Sequence, residues 1–159
     1  MSALLEHLRR QRESSQRLLE IVMTQNAAIR QQDVATVLAS LSDLQVEMGY
    51  RDRLERERER ILLDAATALG AAPDTIDLDA ILVGRPAAEA AAARELSAEL
   101  RGLVTEVGRI HNENRILIRQ ELAFLDHLMR ALSGTPQTAY SPTGWDPVPK
   151  TVNLLDARA

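Results

Sequence analysis

Apolar positions fall on helical spacing almost from end to end of this chain, and the clearest run begins at Leu96. In alternate steps of four and three, the chain reads Leu96, Leu100, Leu103, Val107, Ile110, Asn114, Leu117, Glu121, Phe124, Leu128 and Ala131. All but Asn114 and Glu121 are apolar, a sustained heptad that predicts a helix packed along its length. Its stop is well marked. Ser133-Gly134 supplies a glycine able to take the left-handed cap conformation, and Pro136 cannot continue a helix. Its start is marked by Pro86, suited to the first helical position. An alanine-rich opening at 87–93 then lets neighbouring helices approach closely. At about 1.5 Å per residue, a helix over 86–132 is roughly 70 Å long.

Two further long helices are predicted before it. The first spans about 2–31, with Leu4, Leu8, Leu18, Val22 and Ile29 on one seam and Gln11, Ser15 and Gln25 interrupting it. Gln31-Gln32-Asp33 marks a break in which Asp33 can cap a following helix; a shallow kink in one long helix is the other reading. The second helix runs over 34–69, with a seam of Val34, Val37, Leu41, Leu44, Met48, Leu62, Ala65 and Leu69. Residues 51–60 alternate in charge, even on seam positions. Glu-to-Arg pairs three and four apart each contribute only about 0.2–0.5 kcal/mol, so this stretch reads as a solvated face rather than a docking patch. Gly70 and Pro73 close that helix. Asp74 or Asp77 then caps a short helix near Leu78, Ile81 and Leu82, which Gly84-Arg85-Pro86 ends. Short connections place long helices antiparallel to their neighbours. There is no repeat and no alternating β pattern.

Composition narrows the function classes. The chain has 159 residues, enough for one domain. Its few aromatics are Tyr50, Phe124, Tyr140 and Trp145, so the core must be aliphatic, which suits helix-on-helix packing. Nineteen basic and 23 acidic residues give a net charge of −4. That disfavours nucleic acid, which needs a one-signed basic face, and leaves no basic anchor for a membrane surface. No apolar run reaches the length of a membrane span. The start lacks a signal-peptide stretch, and no cysteine is present. Catalysis has little support. His7, His111 and His127 are scattered, with no Glu-x-x-His pair and no glycine-rich phosphate loop, so no enzyme, cofactor or metal is expected.

The block from Asn112 to Gly144 resembles the flagellar export chaperone FlgN family. Asn112, Asn114-Arg115, Leu117-Ile118, Leu122, Phe124, Leu128, Leu132, Ser133-Gly134, Tyr140 and Gly144 carry the likeness. Glu59-Arg60 to Leu69-Gly70, and Leu78, Ile81 and Leu82, extend it more weakly. The resemblance implies a cytoplasmic chaperone for the hook–filament junction proteins FlgK and FlgL. It would cap their C-terminal helical regions and deliver them to the export gate component FlhA. It also implies gate docking by a tail tyrosine, which Tyr140 matches; Trp145 and the extension to Ala159 exceed the family pattern.

The expected architecture is all-α: an elongated antiparallel three-helix bundle or coiled coil (1–134) with a short extra helix and a flexible Pro-rich C-terminal tail (135–159). A short ordered turn over 152–157 is the one exception expected in that tail. Beside the seam, Ile118, Leu122, Leu125, Met129 and Leu132 are also apolar, so the end of the last long helix is greasy around much of its girth. Two sheltering helices could make this a core. Alternatively, an exposed face of Leu117, Ile118, Glu121, Leu122, Leu125, Leu128, Met129 and Leu132 receives a client helix, where a flexible thioether such as Met129 adapts to its guest. Asn114 and Glu121 sit on the seam, either fixing register or marking where it opens toward a partner. Tyr140 and Trp145, aromatics in a Pro/Gly segment, either anchor a partner or pack back on the bundle end. The competing function is a generic coiled-coil scaffold or oligomerisation module; a metal-dependent bundle enzyme stands third.

Overall fold

A computed structural model of the chain describes residues 2–134. The tail's conformation, the turn over 152–157, Tyr140 and Trp145 lie outside the described residues. Among the described residues are four α-helices, α1 (Ala3–Arg30), α2 (Val34–Leu69), α3 (Leu78–Leu82) and α4 (Ala87–Ser133), with a 3-10 turn at Pro73–Thr75. No strand occurs among the described residues. The protein is an all-α helical bundle. Its chain forms two compact units, Met1–Arg119 and Gln120–Ala159.

The break after α1 is a turn, not a kink. Gln32 takes φ 56°, a left-handed conformation that costs an L-residue about 1–2 kcal/mol. The Asp33 carboxylate then accepts from the Thr36 amide at 3.1 Å and the Thr36 hydroxyl at 2.6 Å. At the other end of α2, Gly70 adopts φ 63° and its amide donates to the Ala66 carbonyl. Asp77, rather than Asp74, caps α3 by accepting from the Ala80 amide at 2.7 Å. Pro86 stands one place before α4, its carbonyl accepting from the Ala90 amide at 3.0 Å.

Within the first unit, α1 contacts both of the other long helices. Its contacts to α2 descend, Arg10 to Glu57 and Ser14 to Glu47, so those two run antiparallel. Its contacts to α4 ascend, Arg12 to Glu99 and Asn26 to Asn114, so α4 returns parallel to α1. The apolar core sits where α1 begins. Leu4, Leu5 and Leu8 pack with Leu82 of α3 and with Ala90, Ala93 and Leu96 of α4. Ala93 is wholly buried; a methyl there keeps the backbones close.

The inner stripe of α2 differs from the seam read from its apolar residues. Val34, Leu41, Met48 and Leu69 are exposed, while Ser40, Glu47 and Leu54 are buried at seven-residue spacing. At these positions the buried stripe lies one residue earlier than the apolar one, whereas Val37, Leu44, Leu62 and Ala65 of that seam are half-buried. Polar chemistry on α1 sets that register. Ser14 and Ser15 are buried there. The Ser14 hydroxyl donates to Glu47 at 2.5 Å, Arg17 donates to the same carboxylate at 2.8 and 3.2 Å, and Arg51 donates to the Ser15 hydroxyl at 3.1 Å. The charged run 51–60 is not wholly solvated either. Leu54 is buried, and Glu57 pairs with Arg10 and lies 3.2 Å from the Nδ1 of buried His7.

Candidate functional site

Two seam positions of α4 are polar, and the structure separates them. Asn114 is buried and fully bonded: its side-chain oxygen accepts from Asn26 at 2.8 Å, and its amide donates to the Val22 carbonyl at 2.9 Å and the Gln25 side chain at 3.0 Å. Beside it, Arg30 pairs with Glu113. The hydrogen bonds from Arg30 and Asn26 hold the Glu113 carboxyl below its ordinary range. This lock pins α4 against α1, and it explains why Gln25, an interruption in the α1 seam, is buried. Further along, Ile116 is exposed, and Leu117 and Ile118 are half-buried at the end of the first unit.

Glu121 is exposed, and so are the apolar side chains after it. Residues 120–133 stay helical because Gln, Glu, Leu, Ala, Met and Arg dominate the segment. The helix stops where Gly134 turns to φ 68°. In this second unit, Leu122, Phe124, Leu125, Leu128, Met129 and Leu132 are each between 43% and 80% exposed. At 3.6 residues per turn they cover roughly 160° of the helix circumference. Ala123, Asp126, His127 and Arg130 take the remainder, with Arg130 donating to Asp126 at 2.6 Å. Single exposed leucines are ordinary, but a contiguous apolar face of this kind marks a surface that something else covers.

Of the residues singled out from sequence, Glu121, Leu122, Leu125, Leu128, Met129 and Leu132 thus share the helix segment 120–133, Leu117 and Ile118 stand before it, and Tyr140 is outside the described residues. Phe124 was missed as a surface residue. It falls on the heptad seam, which assigned it to the interior, yet it is 60% exposed. Its signal was the neighbouring Glu121, a charged seam position with no basic residue three or four places away to pair with it. His111 and His127 are exposed on α4.

Among the described residues no group of three or more His, Asp or Glu could hold a metal ion, and the exposed face of the second unit is mostly aliphatic. Fold and face together define a helical-bundle protein with an exposed apolar face on its last long helix. The family model described as "FlgN protein" matches residues 1–146, and the chain belongs to the FlgN family. Membership implies the role of a flagellar export chaperone. No curated protein and no solved structure matches the chain.

Proposed function

We propose that this chain is the cytoplasmic export chaperone of the hook–filament junction proteins FlgK and FlgL. In this reading, the client's C-terminal amphipathic helix lies across Leu122, Leu125, Leu128, Met129 and Leu132, with Leu117, Ile118 and Glu121 continuing the contact. The exposed apolar arc on residues 122–132 carries the proposal. Covering it removes nonpolar area from water at about 25 cal/mol per Å². Ordering the client segment opposes that gain by about 2–5 kcal/mol, which leaves a grip that can be released. The export gate, through FlhA, would then receive the complex by way of Tyr140 in the tail over 135–159. No cofactor, metal or catalytic step has a place in this scheme.

The test is co-elution with light scattering of the full chain, alone and with C-terminal segments of FlgK and FlgL. Leu122→Glu with Leu125→Glu should abolish client binding and leave circular dichroism unchanged, because neither leucine is buried. Undiminished binding by the double variant would refute the docking face. Strong self-association without client binding would favour a scaffold instead.

A further inference from the structure

Glu121 stands in the middle of the apolar arc, viewed down the helix, with Leu128 on one side and Leu125 and Leu132 on the other, each within about 40°. A helical residue reaches partners three and four places away, and for Glu121 those positions in sequence are Leu117, Ile118, Phe124 and Leu125. None can pair with a carboxylate. Five other acids of α4 have cations: Glu89 pairs with Arg85, Glu99 with Arg12, Glu106 with Arg109, Glu113 with Arg30 and Asp126 with Arg130. Arg130, the basic residue within 120–133, falls about 180° around the helix from Glu121 and already serves Asp126.

Any occupant that buries this face also strips water from Glu121. An unpaired carboxylate moved out of water costs more than the neighbouring leucines gain. The occupant must therefore bring a donor to that spot, and a cation satisfies a carboxylate best. A second copy of the same face cannot supply one, since its basic residue points away from its own arc. On the docking reading above, we infer that the client helix carries one Lys or Arg at the end of its apolar stripe, and that this side chain pairs with Glu121. The pair fixes the register and direction in which the client lies. The leucines supply affinity, and Glu121 selects among greasy helices.

The experiment is calorimetric titration of the full chain with FlgK and FlgL C-terminal segments, using Glu121→Gln, Glu121→Arg and the Leu122→Glu/Leu125→Glu pair. Each basic residue of the client segment is also changed singly to Glu. Glu121→Arg should weaken binding by about tenfold or more, as like charges meet in a covered site. One client Lys→Glu or Arg→Glu change should restore binding to Glu121→Arg while weakening the parent. Circular dichroism confirms that all variants fold. Parental affinity in both Glu121 variants, with binding lost in the leucine pair, would overturn the inference and leave the docking face standing. So would a loss in Glu121→Arg that no client change restores. Normal binding by the leucine pair would instead remove the docking reading and this inference with it. A dimer of the chain alone that Glu121→Arg disrupts would assign the face to a second copy, which also overturns it.

Discussion

Glu47 shows how polar the α1–α2 contact is. Burial disfavours its charged form, but hydrogen bonds from Arg17 and Ser14, with the charges of Arg17 and Arg51, outweigh that and lower its pKa from 4.5. Glu57 is lowered the same way, burial being overcome by His7 and Arg10. A carboxylate with a depressed folded pKa contributes stability that is fully present above its unfolded value and is lost as pH falls through the folded one. The bundle should therefore hold its full stability above about pH 4.5 and lose it progressively below. Urea denaturation between pH 7 and 3 reads this directly. Glu47→Gln should lower stability at pH 7 by about 1–2 kcal/mol and flatten the acid limb; an unchanged limb would show that Glu47 is not a stabilising acid. Asn114→Ala should cost about 1–3 kcal/mol, since Gln25 loses its donor inside the bundle and Asn26 its acceptor. These two residues were not equally legible. Asn114 announced itself as a polar residue on an apolar seam. Glu47 did not, because it needs Ser14 and Arg17 some thirty residues away, and no local pattern reports a partner on another helix.

At the scale of elements, helix boundaries were written locally and read well. Asp33, Gly70, Asp77 and Gly134 act within one turn of themselves, so their chemistry is visible in a short window. Gln32 is the weak point of these connections, a non-glycine residue at positive φ. Gln32→Gly should raise the urea midpoint, by up to about 1 kcal/mol in stability, with no change in helicity. A loss of stability would show that the Gln32 side chain matters more than its backbone strain. Helix faces were read less well. Val34, Leu41, Met48 and Leu69, read as part of the α2 seam, are exposed. Hydrophobicity identifies the inner face only when the opposing helix is apolar, and here α1 opposes α2 with serines and arginines.

For the whole molecule, the division at Arg119 and Gln120 separates two kinds of surface. The first unit holds itself together through an aliphatic core and paired charges; the second presents apolar side chains to solvent. We expect removal of residues 135–159 to preserve client binding while impairing export. Titration with client segments and a swimming assay of the truncated strain test the two halves of that expectation. Normal motility would exclude a gate contact through Tyr140.

The sequence by itself determined the helices, their caps and the all-α class, because spacing, glycine and aspartate act over one or two turns. It also carried the family, through side chains clustered near the end of α4. What the tertiary structure alone decided is which apolar surface is hidden. Ala93, Ile110 and Asn114 of the first unit are buried, whereas Phe124, Leu125 and Met129 of the second are exposed. Burial depends on what packs against each turn, and a heptad reads the same whether its apolar side chains are hidden or exposed.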